Sequence, residues 1–214
     1  MLNLTEKIYL SALPDCVTDA ELLVLLGPDT NENARYGKVK RALAGGELIQ
    51  LRRGLYILAP RYQRRPVNLF EIAQRIYGPS YVSFESALSH HGWIPEAVRT
   101  ITCATSKRAR IFDTPIGIFS YSTLPVQSLY VGVERITMEN STHFMASPVR
   151  ALLDYIYHYK RDWLSSQPLR ESLRIEEEHI EMLLNEARSP AVVELESYYR
   201  STRISHFLRG LRKE

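Results

Sequence analysis

The sequence predicts an α+β protein in two parts, with a short N-terminal domain over residues 1–62 and a larger α+β domain over 63–214. Helix-starting patterns and a β-rich hairpin fill the first part, whereas four β-rich segments between helices mark the second. The segment 59–66, APRYQRRP, is basic and bracketed by prolines, as linkers often are. With 214 residues, 45% of them hydrophobic, the chain can bury a full core.

The stretch CVTDAELLVLLG predicts a helix with well-defined ends. Thr18 and Glu21 have the spacing of a capping box, in which each side chain bonds the backbone amide of the other residue. Val17 and Leu22 are placed as the apolar pair that flanks such a cap, and Gly27 is a natural stop. The helix should therefore begin after Thr18 and end near Gly27.

Two more helices are predicted in the first domain. One lies near residues 2–13. The other begins at Asn31 or Asn33, which are both favourable caps, and ends at the pair Gly45-Gly46.

A helical wheel gives the helix before Gly45 two distinct faces. The predicted inward face consists of Tyr36, Val39, Ala42 and Leu43. The predicted outer face has Lys38 and Arg41 near its centre, Lys40 on its flank and Arg35 at its boundary. Gly37 also lies outside and costs roughly 1 kcal/mol of helix stability relative to alanine. We therefore expect a closely approaching partner to favour glycine there.

The stretch ELIQLRRGLYIL, residues 47–58, predicts a β-hairpin with a basic tip. Two β-rich runs flank Arg52, Arg53 and Gly54, and glycine supplies the positive φ that the turn requires. Three helices followed by a basic hairpin is the element order of a winged helix-turn-helix domain. In that domain the third helix enters the major groove of DNA. The hairpin, or wing, reaches a phosphate or the minor groove.

Positive charge is concentrated around these elements. Residues 33–65 hold nine bases against one acid, Glu47, which is a net charge of +8 in a chain whose total is +3. The remainder carries −5, and this asymmetry favours a polyanionic partner. Solvation of an exposed face would explain any one of these bases, but the set predicts double-stranded DNA as the partner. The predicted DNA-binding residues are Arg35, Lys38, Lys40, Arg41, Arg52 and Arg53.

The second domain alternates helices with a β-rich zone. Helices are predicted over 67–78 and over 83–92, the latter capped by Ser83 and stopped by Gly92. β-rich segments follow at 98–106, 116–124, 129–138 and 142–147. They predict a small sheet covered by helices.

The C-terminal part is predicted to be helical. Ser147-Pro148 and Ser189-Pro190 each place a cap before a proline at the first helical position. Between them, residues 174–188 predict a strongly acidic amphipathic helix. That helix is either a solvated face or a surface that meets a basic protein.

Three motifs resemble those of a known family. They are the Arg-Gly-x-Tyr of the hairpin (Arg53, Gly54, Tyr56), the Ser-x-Glu-Ser-Ala-Leu helix (Ser83, Glu85, Ser86, Ala87, Leu88) and the Gly-x-Phe-x-Tyr strand (Gly117, Phe119, Tyr121). Together with SPVRALLDYI, they make the segment from about Lys38 to Tyr157 resemble the AbiEi antitoxins. These belong to type IV toxin-antitoxin systems, which are known for abortive infection of phage-infected bacteria.

The resemblance implies a winged-helix transcriptional repressor of its own operon, joined to a domain that counteracts a cognate nucleotidyltransferase toxin. It places Arg53 on the basic wing of the family and Lys38, Lys40 and Arg41 on its recognition helix. The helices beyond about Trp163 are not matched. The chain is therefore expected to be a non-enzymatic DNA-binding antitoxin of phage defence.

Enzyme chemistry finds little support in the sequence. A polymerase-β-like nucleotidyltransferase needs Gly-Ser followed by paired carboxylates that hold metal ions, and no such pair follows the Gly-Pro-Ser at 78–80. His90-His91 is the best metal candidate, but adjacent helical residues point about 100° apart and would not converge on one ion. We predict no catalytic residue, no metal and no cofactor. Two alternatives stay open: a nuclease or nucleotidyltransferase directed to nucleic acid, and a solitary winged-helix regulator without a toxin.

A cytoplasmic location is expected. Cys16 and Cys103 are far apart and suggest neither a disulfide framework nor a zinc site, which fits a reducing compartment. The N-terminus MLNLTEKIYL lacks the basic and apolar regions of a signal peptide. No apolar run approaches the roughly 20 residues that span a bilayer, so no membrane partner is predicted.

Overall fold

The computed structural model describes residues 2–124, 129–138 and 141–214. Within these ranges the chain has ten α-helices and two β-sheets, which confirms the predicted α+β class. None of the described helices is both long and apolar enough to pass through a lipid bilayer. A short 3-10 turn, Pro60–Tyr62, lies at the predicted domain boundary, which stays a prediction.

The N-terminal part combines three helices with a three-stranded antiparallel sheet. The helices are α1 (Leu4–Leu10), α2 (Asp19–Leu26) and α3 (Glu32–Ala44). The strands are β1 (Cys16–Thr18), β2 (Leu48–Arg52) and β3 (Leu55–Leu58), in the spatial order β1-β3-β2. The hairpin of β2 and β3 agrees with the prediction, whereas the sequence pattern does not predict β1.

Local hydrogen bonds fix the ends of α2 and α3 as the sequence predicts. The Glu21 amide donates to the Thr18 hydroxyl at 3.2 Å, and the Thr18 amide donates to the Glu21 carboxylate at 2.6 Å. These two bonds complete the capping box. Of the two candidate caps of α3, Asn31 fills the role, because the Ala34 amide donates to its Oδ1 at 2.8 Å. Gly45 ends that helix.

The small sheet is covered on both faces, which ties the two parts of the chain together. Successive side chains of a strand point to opposite faces. In β3, Tyr56 and Leu58 pack with α1, α2 and α3, whereas Leu55 and Ile57 join the larger core of the second part. The hairpin is therefore held between the N-terminal helices and the second part.

The second part is built on a six-stranded mixed sheet. Its strands are β4 (Ser80–Val82), β5 (Thr100–Thr105), β6 (Arg110–Thr114), β7 (Gly117–Thr123), β8 (Val133–Met138) and β9 (Ser141–Ala146). They lie in the order β6-β7-β5-β4-β9-β8, so β6 and β8 are the edges. Four strands match predicted β-rich segments, although β8 begins four residues later than position 129. The sequence pattern does not predict β4 and β6.

Seven helices complete the described residues of the second part. They are α4 (Leu69–Ile76), α5 (Phe84–His90), α6 (Pro148–His158), α7 (Gln167–Leu173), α8 (Glu177–Glu186), α9 (Pro190–Tyr199) and α10 (Thr202–Leu211). Ser147 and Ser189 cap α6 and α9 as predicted. Ser83 precedes α5 but forms no side-chain cap, because its hydroxyl donates to Asp154 instead.

The Asp154 carboxylate belongs to a network of charged and hydroxyl groups in the core. Arg150 and Asp154, one turn apart on α6, form an ion pair with an Nε–Oδ1 distance of 2.9 Å and 0% exposure of both side chains. The Tyr81 hydroxyl donates to Asp154 at 2.8 Å and accepts from Arg150 at 2.6 Å, and Tyr199 also donates to Asp154. Burial lowers the pKa of Arg150, but the Asp154 carboxylate together with Tyr199 and Tyr81 outweighs it, so the pKa rises above its usual value. The guanidinium therefore remains charged inside the core.

Candidate nucleic-acid interface

The buried side of α3 is set by Val39 and Ala42, which are 3% and 4% exposed. Tyr36 was predicted to share this side, and that prediction is wrong, because the residue is 67% exposed. At about 100° per residue, Tyr36 lies roughly 60° from Val39 and roughly 120° from Ala42 around the helix. Its ring is therefore carried to the flank of the helix, beside the hairpin.

The outward side of α3 is centred on Gly37, not on Lys38 and Arg41 as the wheel suggested. Lys40 and Arg41 are exposed on either side of Gly37, and Lys38 is half-buried toward α1. A Cβ built on Gly37 would meet only Arg41 Nη1, at 3.6 Å. Within the part of the chain that the structure describes, nothing therefore requires glycine at this position.

A cleft of about 480 Å³ separates α3 from the hairpin. Its basic lining residues are Arg35, Lys40 and Arg53, and Asp19 and Glu32 contribute the acids. The cleft thus brings three of the six predicted DNA-binding residues together.

The tip of the hairpin is held against the start of α2. Gly54 has a φ of +75°, and its carbonyl accepts from the Asp19 amide at 3.1 Å. The positive φ favours glycine, and a Cβ at this position would also displace the Asp19 carboxylate, since it would lie 2.9 Å from Oδ2. Burial and the neighbouring Asp19 carboxylate raise the pKa of Tyr56, which keeps its hydroxyl protonated. These contacts present the exposed Arg53 on a fixed turn.

Arg52 does not extend outward beside Arg53. Its Nε donates to the Ile76 carbonyl at 2.7 Å and its Nη1 to the Arg53 carbonyl at 2.9 Å. The side chain therefore supplies a cation to the carboxyl end of α4, where backbone carbonyls lack partners. The structure corrects its predicted position at the exposed tip.

Three other arginines of the basic segment also have partners inside the protein. Arg61 donates to the Gly45 carbonyl at 3.2 Å, at the end of α3. Arg64 pairs with Asp15 and Arg65 with Glu71, both at 2.8 Å. With Arg52, these residues account for four of the nine bases, so the sequence overstates the charge available to a partner. Within the described ranges, the remaining five have no side-chain hydrogen bond or ion pair: Arg35, Lys38, Lys40, Arg41 and Arg53.

Groups with possible catalytic or metal chemistry have structural contacts. His91 Nε2 lies 2.9 Å from the Ala146 carbonyl, and the described residues contain no group of three or more potential metal ligands. The Ser86 hydroxyl donates to the Thr100 carbonyl at 3.2 Å. Burial raises the pKa of Cys16 to about 11, so its thiol is protonated at neutral pH.

The acidic helix and the tyrosines near the C-terminus divide between surface and core. Glu177 pairs with Arg170 at 2.6 Å, whereas Glu178 and Glu181 are exposed. Tyr155 and Tyr199 are buried and pack in the core. A role of the acidic helix in binding a toxin stays a prediction.

Compared with known proteins, the chain matches no family model and no curated sequence.

Proposed function

We propose that this chain is a winged-helix DNA-binding protein that represses its own operon. The observation that carries the proposal is the set of five bases on α3 and the hairpin tip that have no internal partner among the described residues. The four other bases of the same segment are engaged with carbonyls or carboxylates. A charge that the fold leaves uncompensated is available to a polyanion.

The arrangement of elements also supports the proposal. Three helices and a three-stranded antiparallel sheet with a basic hairpin follow the pattern of winged-helix domains, in which α3 would be the recognition helix. Lys40 and Arg41 flank the outward face of α3, and Arg53 lies across the cleft. In the proposed complex α3 enters the major groove, and Arg53 contacts a phosphate or the minor groove.

We further propose that the second part acts as an antitoxin against a nucleotidyltransferase toxin. This role rests on the sequence motifs that resemble AbiEi antitoxins. Co-expression tests it: the chain should restore growth to cells that express a nucleotidyltransferase encoded beside its gene. Unrelieved growth arrest would reject the antitoxin role, and the absence of such a neighbouring gene would favour a solitary regulator.

DNA binding is tested by fluorescence anisotropy of the purified full chain over a salt series. The probes are a duplex from upstream of its own gene and a scrambled duplex of equal length. Tight binding to the first duplex, with affinity falling steeply as salt rises, is the expected result. Equal, weak binding to both duplexes would reject the repressor role, and binding to neither would reject the interface.

A further inference from the structure

A second basic segment lies outside the N-terminal part. The sequence Ser-Lys-Arg-Ala-Arg, residues 106–110, joins β5 to the edge strand β6 and is exposed throughout. Lys107 is held in place, since its ammonium donates to the Gly78 carbonyl and lies 5.4 Å from the centre of the Tyr77 ring. Arg108 and Arg110 form no ion pair with any residue that the structure describes.

This segment adjoins the hairpin through the carboxyl end of α4. Arg52 of the hairpin donates to the Ile76 carbonyl at 2.7 Å, and the next residue, Tyr77, donates its hydroxyl to the Arg108 carbonyl at 3.1 Å. Two consecutive residues thus connect the hairpin to the basic segment. Strand β6 also contacts β2 directly.

Arg110 lies on the same face of the sheet as Tyr121, whose hydroxyl donates to the Ala73 carbonyl of α4. It pairs in register with Tyr121, and its guanidinium lies 5.3 Å from the centre of the Phe112 ring. Arg52 donates to the carbonyl of Ile76, and the ring of the next residue, Tyr77, lies 5.2 Å from the ring of Tyr121, so both arginines lie near this aromatic pair. Asp113, the acid of this strand, points to the opposite face, because side chains alternate along a strand.

The three basic elements follow one another in space. Helix α3 covers one face of the small sheet, the hairpin tip ends that sheet, and the second part with β6 covers the other face. Because Arg52, Ile76 and Tyr77 connect the hairpin tip to residues 106–110, a duplex that contacts Arg53 at that tip can also reach the second basic segment. Like charges on neighbouring elements repel each other unless a polyanion lies across them.

We propose that Arg108 and Arg110 bind the phosphate backbone of the same duplex, beyond the hairpin. This inference rests on the proposed DNA-binding function. With these two contacts the DNA interface extends from the N-terminal part onto the edge of the larger sheet. The protein then contacts a longer stretch of DNA, and the added length lies on the hairpin side only. Because phosphate contacts carry no base information, the added binding is independent of sequence.

The test compares wild type with Arg108→Ala/Arg110→Ala in the full chain. The slope of log affinity against log salt should fall by roughly two units, one for each lost phosphate contact. Trimming the operator duplex by one helical turn at the hairpin side should weaken wild-type binding but leave the double variant unchanged. Trimming the other end should affect both proteins equally.

Arg135→Ala is the matched control, because Arg135 is an exposed arginine on β8, the opposite edge of the same sheet. It should bind like wild type, and thermal melting should show all three proteins equally folded. A double variant with the wild-type salt slope on DNA that wild type binds tightly would overturn the inference alone. Failure of wild type to bind any duplex would overturn the proposed function and this inference with it.

Discussion

Arg150 and Arg53 show two uses of arginine in one chain. Arg150 is fully buried, and its guanidinium is bonded to Asp154, Tyr81 and the Val131 carbonyl. Arg53 is exposed on a turn and has no side-chain partner in the described part of the chain. Removing a hydrogen-bond partner of Arg150 should destabilise the fold. Removing the Arg53 side chain should weaken only the proposed DNA binding. The comparison separates arginines that stabilise the fold from arginines whose charge the described part of the chain leaves unpaired.

The largest effect is expected from Asp154→Ala. The change leaves the Arg150 charge buried without its carboxylate and removes the acceptor of the Tyr81, Ser83 and Tyr199 hydroxyls. Breaking one side of a buried ion pair typically costs about 3–5 kcal/mol of unfolding free energy. Urea unfolding followed by circular dichroism measures this loss.

Asp154→Asn distinguishes the contribution of the carboxylate charge from that of the side chain's size and hydrogen bonds. It keeps an acceptor oxygen of similar size but leaves the arginine without a counter-charge, so its loss should be smaller than that of alanine but still clear. Arg135→Ala, on an exposed strand edge, should change stability by less than about 0.5 kcal/mol. A loss below about 1 kcal/mol for Asp154→Ala would mean that the network is not a main support of the fold.

On the binding side of the comparison, Arg41→Ala and Arg53→Ala should each weaken operator binding by about 1–3 kcal/mol if they contact bases. If they contact only phosphate, the loss should be smaller and equal for all DNA sequences, with a salt slope lower by about one unit. Their urea unfolding curves should match wild type. Wild-type affinity in both variants would reject the docking of α3 and the hairpin tip.

The same contrast explains which features the sequence could predict. Caps such as Thr18–Glu21 and Asn31 were predictable, because their hydrogen bonds join residues three positions apart. The short strands β1, β4 and β6 were not, since a strand of three to five residues is defined by the neighbour with which it pairs. The partners of β1 and β4 lie far away in sequence, so the local pattern carries too little information for these two strands. Strand β6 instead pairs with β7 across the short turn Pro115-Ile116, a local hairpin that the predicted β-rich segments did not include.

Whether an arginine is hydrogen-bonded inside the protein or exposed also depends on tertiary structure. Arg52 and Arg53 are adjacent in sequence and equal in charge, yet one bonds a carbonyl of α4 and the other is exposed. Only the packing of the hairpin against the second part decides between them. The sequence therefore predicted where the basic surface lies but not which bases belong to it.

A smaller effect is expected where the two parts meet, at the ion pair of Glu21 on α2 and Arg75 on α4, with an O–N distance of 2.6 Å. Partial burial raises the pKa of Glu21, but hydrogen bonds from Arg75 and Thr18 outweigh it and hold the pKa below its usual value. The ionised carboxylate thus stabilises the fold. This contribution is complete above the unfolded pKa near 4.5 and is lost as the pH falls through the folded value.

Glu21→Gln tests this contribution. The variant should lose about 1 kcal/mol of stability at pH 7. The difference from wild type should shrink as the pH falls below 4.5, where Glu21 of the unfolded chain takes up a proton, and vanish once the folded carboxylate is protonated too. A difference that is constant with pH would show that the carboxylate charge is not what stabilises the contact.

The smallest effect is expected from Gly37→Ala, which should change both stability and DNA binding. Gly37→Ala should stabilise α3 by up to about 1 kcal/mol, because alanine favours helix and its Cβ would meet only the tip of Arg41. If the outward face of α3 lies close to DNA, the added methyl group should also weaken operator binding. Urea unfolding and anisotropy on the same protein measure the two effects.

Ala191→Ser is a matched control for Gly37→Ala, since Ala191 is an exposed helical residue on α9, outside the proposed interface, and the change also adds one heavy atom. Gain of stability with loss of binding would mean that glycine is kept at position 37 for a ligand and not for the fold. Gain of stability with unchanged binding would place the DNA away from the outward face of α3. In that case the cleft lined by Arg35, Lys40 and Arg53 would carry the contact instead.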